Sequence, residues 1–488
     1  MNFLQSYWFK IPWWSLRKVT YIVLLALLGS LLIGITILVL YMNSLPSLSS
    51  WHTKVLKNEF TAVSDIKDFT AYRALEKTLF KELNQEIYKK ISHKEVNAIS
   101  RYTSNSISDP KRWNQAWNQS FELPVKNPKM GVLLLHGMSD SPYSLHTQAK
   151  YLQEQGVWVV ALRMPGHGTI PSGLVNLQWQ DMAAVVKLGM AHLSNTLPEK
   201  PIHIMGYSTG APLALHYTLL ALEDSNLTLP SSLIFYSPAI GVSKAAPLAI
   251  WQSRLGHLFS LPKLEWNSIA PEFDPFKYNS FAVNAGDQVY RLCNTVQKQL
   301  DHYSQQTDTK PFPPILSFAS IIDSTVSTPA TINKLYKRLE KGDHQLVLFD
   351  INHNFSDNHF VKKTLNTSLD ILRKTPSDIN YTFDLISNIH SKNRMLHQVR
   401  NGKDKTNLKI SWNKHLHSLS HLSLPISPLD PLYGSQKAPK SPGIQLGHLA
   451  IYGETSVLQI SAASLLRQRW NPFHDYTKQR VLTFMNLD

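Results

Sequence analysis

The sequence predicts an α/β fold in which a mostly parallel β-sheet is covered by helices on both faces. Two observations lead to this prediction: six short apolar runs are typical of buried strands, and stretches with helical periodicity separate several of them. Strands that alternate with helices at this spacing form parallel sheets. The predicted strands are 130–135, 157–162, 202–205, 233–236, 315–319 and 345–349, and the predicted helices include 144–155, 179–193 and 331–341.

The third predicted strand leads directly into the pentapeptide 206–210, which has the pattern G-x-S-x-G, and an apolar helical stretch, 212–222, follows it. Strand, sharp turn and helix is the context of a nucleophile elbow, which lifts a serine hydroxyl clear of a sheet. Gly206 and Gly210 are expected because a side chain would collide with the backbone and because glycine tolerates unusual backbone angles. Ser208 is therefore the candidate nucleophile.

Composition limits the class of protein. The 488 residues have a hydrophobic content of 43%, which allows a large core and two or three domains. The single cysteine, Cys293, excludes an internal disulfide framework and a thiolate metal cluster. The net charge is +15, but the basic residues are scattered, so we expect no nucleic-acid partner.

Residues 19–41 contain no charged side chain and are dominated by Ile, Leu and Val. Their 23 residues suffice to cross a bilayer, so we predict a single-pass transmembrane anchor. Lys10, Arg17 and Lys18 precede this segment, and the next charged residue is Lys54. The positive-inside rule then places 1–18 in the cytoplasm and the rest outside it, in keeping with a bacterial inner membrane. A cleaved signal peptide is the alternative, although the apolar run is long and lacks a cleavage site.

The remaining chain divides into two parts. Residues 42–125 are interpreted as a linker followed by helices, and residues 126–488 as the main domain. Within that domain, 238–310 are predicted to form a cap insertion, because the segment is long and rich in aromatic residues: Trp251, Phe259, Trp266, Phe273, Phe276, Tyr278 and Phe281. Residues 375–445 are predicted to be a polar insertion that contains one strand, 381–386.

A serine nucleophile requires a base, an acid that orients the base, and donors for the oxyanion. Asp323 is the only carboxylate in the turn after the fifth predicted strand, which makes it the candidate acid. The residues leave the base open between His353, directly after the next strand, and His421, about 70 residues later. The backbone N–H of Thr209, which follows the nucleophile, is a candidate oxyanion donor.

Several stretches resemble the α/β-hydrolase superfamily, in the bacterial branch of esterases, monoacylglycerol lipases and serine aminopeptidases. The similar stretches are 136–144 (HGMSDSPYS), the turn 165–168 and the acid turn 323–326, which together span about residues 130–350. The resemblance implies an α/β-hydrolase fold, with the backbone N–H of Met138 as the other oxyanion donor. His136 is expected to be structural.

A later stretch, 418–434 and 469–473, resembles a set of large membrane-anchored hydrolases in the same branch. In that set the histidine that matches His421 is a motif position, whereas the site that matches His353 is typically not histidine. The resemblance therefore favours His421 as the base. Thr209 and Ala211 depart from the Asn and Gly that such relatives often carry, but neither change removes a catalytic atom.

These observations predict a membrane-anchored serine hydrolase that cleaves acyl or lipid esters and requires no cofactor or metal. Two alternatives remain. An aminopeptidase-like amide hydrolase would need an acidic site for the substrate amino group, for which the cap offers Glu265, Glu272, Asp274 and Asp287. A catalytically idle scaffold that binds a partner or lipid at the membrane is the second alternative.

Overall fold

The computed structural model describes residues 13–241, 261–306, 310–354, 370, 372–374, 379–391, 393–449 and 460–488. The chain divides into two compact units, Met1–Ser47 and Leu48–Asp488. Trp251 and Phe259 of the predicted cap, and the first residues of the predicted cytoplasmic segment, lie outside the described residues.

The first unit contains one long helix, α1 (Trp13–Ser44), which covers the predicted segment 19–41. Its part Arg17–Ser44, 28 residues, is long and apolar enough to cross a membrane. The apolar side chains of this part are exposed, as in Leu24 and Ile33. Signal sequences near an N-terminus also contain apolar helices, usually with a shorter apolar run.

The second unit is built on a large sheet. In chain order, the described strands are β1 (Phe121–Leu123), β2 (Met130–Leu135), β3 (Val157–Leu162), β4 (Ile202–Tyr207), β5 (Ser232–Tyr236), β6 (Trp266–Ser268), β7 (Phe281–Ala282), β8 (Ile315–Ser320), β9 (Gln345–Phe349), β10 (Thr382–Ser387), β11 (Met395–Arg400) and β12 (Asp404–Ser411). Ten of them form one sheet in the order β1-β3-β2-β4-β5-β8-β9-β10-β11-β12. From β3 to β10 all neighbours run parallel, which confirms the predicted mostly parallel sheet.

Helices accompany these strands along the chain: α2 (Ser50–Thr53), α3 (Phe69–Leu83), α4 (His146–Glu154), α5 (Trp179–Thr196), α6 (Gly210–Glu223), α7 (Val283–Gln305), α8 (Thr328–Lys334), α9 (Ala462–Leu465) and α10 (His474–Phe484). Two predicted helices are shorter than expected. The helix predicted at 144–155 begins at His146 after a 3-10 turn, and the one predicted at 331–341 ends at Lys334 before another 3-10 turn.

Alternate side chains of each central strand point to opposite faces, and both faces are buried. In β2, Leu133 and Leu135 pack with residues of α5, α6 and α7, whereas Val132 and Leu134 pack with residues of α4 and α10. Burial on both faces explains why these strands are continuous apolar runs in the sequence. The sheet therefore holds the loops at its strand ends on a rigid base.

The region 375–445 differs from the predicted polar insertion. β10 joins the main sheet beside β9, and β11 and β12 extend the sheet as an antiparallel hairpin. Asn401 and Gly402 form the hairpin turn with φ of 48° and 72°. An Asn-Gly pair is a strong hairpin signal, and it is the signal that could have identified these strands. β12 is largely exposed, so it lacks the apolar run that marks a buried strand.

The described part of the predicted cap, 238–241, 261–306 and Lys310, contributes to the core. α7 packs against α6 and α5, and its residues Leu292 and Val296 are buried in the same cluster as the sheet. β6 and β7 form a small separate antiparallel sheet. Trp266 is buried with α7, whereas Phe273 is buried on the opposite face of the main sheet.

The predicted N-terminal helices also join the main unit. α3 contributes Glu76, whose carboxylate accepts a hydrogen bond from Arg163 Nε at 2.7 Å, and both side chains are buried. Arg163 Nη2 donates to Glu59 at 2.8 Å. The Tyr72 hydroxyl donates to the carbonyl of Arg163 at 2.7 Å. These contacts attach α3 to the end of β3.

Candidate active site

Ser208 lies in the sharp turn between β4 and α6, as the pentapeptide predicts. Its φ of 53° lies in the left-handed region, which residues other than glycine rarely adopt. The Ser208 N–H donates to the carbonyl of Tyr236 at 3.0 Å, and the Ser208 carbonyl accepts from the N–H of Ala239 at 3.1 Å. The main chain thus holds the serine at the carboxyl ends of β4 and β5.

The two glycines of the pentapeptide are required by close packing. A Cβ atom on Gly206 would lie 2.6 Å from the carbonyl carbon of Gly210, and a Cβ on Gly210 would overlap the carbonyl of Leu135. Neither glycine has a positive φ. The expectation that glycine is needed for unusual backbone angles is therefore wrong here, and Ser208 itself adopts the strained conformation.

The loop after β2 lies against the nucleophile. A Cβ atom built on Gly137 would be 3.1 Å from the Cβ of Ser208. Met138 and Thr209, the predicted oxyanion residues, are both buried. Within the part of the chain that the structure describes, neither backbone N–H donates to a protein acceptor. Because buried N–H groups are nearly always paired, two that lack a protein acceptor are expected to bind an oxygen from a ligand or water.

His136 holds the shape of this loop. Its Nε2 accepts from the N–H of Met164 at 3.0 Å, and its Nδ1 donates to the carbonyl of Gly137 at 2.8 Å. Burial lowers the pKa of His136 well below its usual value, and the positive neighbours Arg163 and Lys277 act in the same direction. The side chain therefore remains neutral and positions the loop.

Asp323, the predicted acid, lies in the turn after β8 with its side chain fully buried. One oxygen, Oδ1, accepts from the N–H groups of Thr325 at 2.8 Å and Val326 at 3.0 Å. The other, Oδ2, lies 2.8 Å from His421 Nδ1. Burial alone would raise the pKa of Asp323, but the charge of His421 and these hydrogen bonds outweigh it and lower the pKa.

His421 belongs to the long segment after β12, and a turn near β9 fixes this segment. The Asn352 N–H donates to the carbonyl of His417 at 2.8 Å. The Asn352 side chain donates to the carbonyls of Asn413 and Leu416, both at 3.1 Å. The turn directly after β9, where the strand order would place the catalytic base, therefore fixes the segment that carries His421.

His353 belongs to a different cluster. Its Nε2 lies 2.6 Å from Oδ2 of Asp350, and the same oxygen accepts a hydrogen bond from Ser387 Oγ at 2.8 Å. The other oxygen of Asp350, Oδ1, accepts from Arg373 Nη2 at 3.0 Å. Burial would raise the pKa of Asp350, but the hydrogen bonds from His353 and Arg373 lower it. The structure therefore pairs Asp323 with His421 and pairs His353 with Asp350.

A small cavity, here called the elbow cavity, is lined by Tyr207, whose ring lies 5.3 Å from the ring of His421. Its volume is about 30 Å³. Its apolar lining is Tyr207, Leu422 and Ile426. Its polar lining is Asp140, Ser144, Lys277, Tyr433 and Arg469. Tyr207 precedes the nucleophile and Leu422 follows His421. Sequence reasoning assigned no site role to Lys277 or Arg469. Arg469 begins the resembling stretch 469–473, but its place at a cavity formed by distant segments is visible only in the fold.

Within the described residues, no group of three or more His, Cys, Asp or Glu side chains is arranged to hold a metal ion. Cys293 is buried, and its thiol donates to the carbonyl of Ala239 at 2.9 Å. Burial raises the pKa of this thiol to about 12, so it remains protonated at neutral pH.

Residues 126–353 match the family model described as serine aminopeptidase, S33. A thermostable monoacylglycerol lipase from Bacillus sp. (strain H-257) is 31% identical over 92 residues, which are 19% of this chain and 36% of that protein. The chain thus spans little more than a third of the length of this curated relative.

Two solved structures are also similar to the chain. The monoacylglycerol lipase of Paleococcus ferrophilus is 17% identical, covering 47% of this chain and 88% of its own, with a TM-score of 0.36. A soluble variant of monoglyceride lipase from Saccharomyces cerevisiae is 15% identical, covering 52% of this chain and 89% of its own, with a TM-score of 0.38.

The parallel sheet carries Ser208 at a strand-to-helix turn, and the family match begins just before β2 and ends after β9. These observations together show an α/β-hydrolase fold, in which residues 126–353 match the serine aminopeptidase, S33, family model.

Proposed function

We propose that this chain is a membrane-anchored serine hydrolase that cleaves acyl esters through an acyl-enzyme intermediate. Ser208 Oγ attacks the ester carbonyl while His421 accepts its proton. Asp323 orients the imidazole and stabilises the positive charge that develops on it. The N–H groups of Met138 and Thr209 donate to the oxyanion.

The second half of the reaction uses the same groups. His421 passes its proton to the leaving alcohol as the tetrahedral intermediate collapses to the acyl enzyme. A water molecule, deprotonated by His421, then attacks the acyl carbonyl, and the acid leaves as Ser208 regains its proton. No step requires a metal or an organic cofactor.

The hydrogen bond between His421 and Asp323 is the single observation that carries this proposal. An imidazole bound through Nδ1 to a buried carboxylate directs its Nε2 elsewhere, which is the arrangement a serine base needs. The two unpaired N–H groups beside Ser208 support the same assignment, since acyl transfer requires donors at that position.

The acidic residues considered for an amide hydrolase are engaged elsewhere. Glu272 accepts from the N–H of Ser280 at 2.8 Å, Asp274 accepts from the Tyr433 hydroxyl at 2.8 Å, and Asp287 binds Arg291 at 2.6 Å. None of these three carboxylates, nor Glu265, lines the elbow cavity. This arrangement favours ester cleavage over removal of an N-terminal amino acid.

The anchor and the substrate class are part of the proposal. α1 has the length and apolarity of a membrane span, and a monoacylglycerol lipase is among the similar proteins. We therefore propose lipid esters as substrates, with the anchor keeping the hydrolase unit at a membrane surface. Faster hydrolysis of a long-chain monoacylglycerol when the protein is reconstituted in vesicles supports this; equal preference for short soluble esters contradicts it.

The decisive experiment is labelling of the detergent-solubilised full chain with a fluorophosphonate probe. We expect labelling of the wild type and of His353→Ala, and loss of labelling in Ser208→Ala and His421→Ala. Circular dichroism of each variant controls for folding. Labelling that survives in His421→Ala but disappears in His353→Ala reassigns the base. A folded wild-type protein that does not react favours the binding scaffold.

A substrate panel then distinguishes ester from amide cleavage. Matched pairs of p-nitrophenyl acyl esters and aminoacyl p-nitroanilides are assayed with the wild type and with Ser208→Ala. Release from esters alone supports the proposal, whereas Ser208-dependent release from the aminoacyl anilides identifies an aminopeptidase-like enzyme.

A further inference from the structure

Two cationic side chains face the elbow cavity beside the proposed nucleophile, and they differ in their partners. Lys277 Nζ forms an ion pair with Asp140 Oδ1 at 2.8 Å. Arg469 is partly buried and lines the same cavity. Within the described residues its guanidinium forms no hydrogen bond or ion pair with protein. A guanidinium has five N–H donors, and a partly buried one is normally paired.

The carboxylate of Asp274 interacts electrostatically with Arg469, but its hydrogen bonds are made to other groups. Asp274 is buried, and its two oxygens accept from the hydroxyl of Tyr433 and from the N–H groups of Phe276 at 3.0 Å and Lys277 at 3.1 Å. Asp140 is held by Lys277. Among the residues that line the cavity, Lys277 and Arg469 are cationic and Asp140 is anionic, and Arg469 supplies the hydrogen-bond donors that remain.

The position of the cavity indicates which half of an ester it would contact. The ring of Tyr207, in its wall, lies 5.3 Å from the ring of His421, and His421 is proposed to protonate the leaving alcohol. A volume of about 30 Å³ is too small for an acyl chain but admits a small polar group. The alcohol half of the substrate would therefore face Arg469.

We propose, on the basis of the function proposed above, that Arg469 binds an anionic group on the alcohol half of the substrate. The substrates are then acyl esters of an alcohol that carries a phosphate or a carboxylate. Planar guanidinium groups bind either anion through two parallel hydrogen bonds. Lys277 and its partner Asp140 also line the cavity. The acyl chain lies outside this cavity.

The test compares two substrates that differ by a single group: 1-oleoylglycerol and 1-oleoylglycerol 3-phosphate, each in micelles of one neutral detergent. For the wild type we expect kcat/KM to be about ten-fold or more higher for the phosphate ester, as for one charge-assisted bidentate contact. In Arg469→Gln this ratio falls about ten-fold, and in Arg469→Lys it falls less. The proposal fails if the wild type has no preference, or if Arg469→Gln leaves the ratio unchanged.

Lys405→Gln is the matched control, since it removes one positive charge from exposed β12. It should leave the ratio at the wild-type value. A fall equal to that of Arg469→Gln would mean that total charge at the micelle surface, rather than the cavity, sets the preference, and would overturn the proposal.

A binding measurement separates this proposal from the catalytic one. Glycerol 3-phosphate and glycerate are titrated calorimetrically into the full-chain Ser208→Ala protein, with and without Arg469→Gln. Tighter binding of one compound identifies phosphate or carboxylate as the anion, and Arg469→Gln should weaken it about ten-fold. If binding depends on Arg469 but the wild-type protein hydrolyses no ester, the proposed function is wrong and the anion site stands. Absence of binding overturns the anion site.

Discussion

Ser208 adopts a left-handed backbone conformation that costs about 1–3 kcal/mol, and three main-chain hydrogen bonds compensate for it. Its N–H donates to Tyr236, and its carbonyl accepts from Ala211 and Ala239. The strain is useful because it points the side chain toward the loop that carries Met138. At this scale the proposed site depends on individual atoms: two unpaired N–H groups, one buried carboxylate and one imidazole.

The role of Asp323 can be tested by Asp323→Asn, which keeps the shape but removes the charge that stabilises the imidazolium. We expect kcat on an acyl ester to fall by on the order of 10³-fold or more. Asp65→Asn, at an exposed position, is the control and should retain full activity. Unchanged turnover in Asp323→Asn would remove Asp323 from the catalytic machinery.

The lowered pKa of Asp323 also predicts a pH dependence of stability. Its folded-state pKa lies below the unfolded value of about 3.9. The ionised carboxylate therefore contributes stability above that pH, and this contribution is lost as the pH falls through the folded-state pKa. In urea unfolding, the difference in unfolding free energy between wild type and Asp323→Asn should be constant from pH 7 to 5 and shrink below about pH 4. A difference that grows at low pH contradicts this sign.

Two glycine substitutions test the packing of the elbow. Gly206→Ala places a methyl group 2.6 Å from the backbone of Gly210, so we expect destabilisation of about 1–3 kcal/mol and loss of fluorophosphonate labelling. Gly286→Ala, within α7, meets its nearest neighbour at 3.9 Å and should instead stabilise the protein by about 0.5–1 kcal/mol. Thermal unfolding measures both, and equal effects would contradict the steric argument.

Individual elements are attached to the sheet by polar contacts as well as by apolar packing. α3 precedes the sheet in sequence, and the buried pair of Glu76 and Arg163 fixes it to the end of β3. The turn at Asn352 similarly holds the segment that leads to His421. In both cases a loop at a strand end acts as the attachment point for a segment from elsewhere in the chain.

The attachment of α3 can be tested by Arg163→Met, which leaves Glu76 buried without its cation. We expect destabilisation of about 3–5 kcal/mol, measured by chemical unfolding. Lys90→Met removes the cation of an exposed pair with Glu86 and serves as the matched control, with little change expected. If both variants unfold at the same denaturant concentration, the buried pair does not hold α3.

On the scale of the whole molecule, the described part of one unit is a long apolar helix, and the other unit, here called the proposed hydrolase unit, is built on the ten-stranded sheet. The proposed topology places residues 1–18 in the cytoplasm and the proposed hydrolase unit outside it. The positive residues before the span and the uncharged residues that follow it support this orientation.

Cysteine labelling tests this orientation. Ser6→Cys and Lys437→Cys are compared in intact spheroplasts with a membrane-impermeant maleimide, the native Cys293 being buried. We expect labelling of Lys437→Cys, whose position is exposed, and labelling of Ser6→Cys only after lysis. The reverse pattern would place the proposed hydrolase unit in the cytoplasm. Release of the protein from membranes by cleavage after residue 44 would identify α1 as a signal sequence.

Much of this protein can be predicted from local sequence. Six central strands are buried on both faces, so they are continuous apolar runs, and three of them, β2, β3 and β9, have the predicted bounds. The elbow around Ser208 is also predicted from local sequence, because a strand, five residues and a helix follow one another, and hydrogen bonds to Tyr236 and Ala239 then hold the serine in place. The exposed hairpin of β11 and β12 has no such apolar run, and only its Asn-Gly turn marks it.

The tertiary structure decided what local sequence left open. The residues alone left the catalytic base open between His353 and His421. The folded chain shows that Asp323 contacts His421, whereas Asp350 contacts His353. Arg469 and Lys277 are nearly 200 residues apart, yet they line one cavity. The physical reason is that strand and turn formation depend on neighbouring residues, whereas a hydrogen bond between distant side chains depends on how the whole sheet brings its loops together.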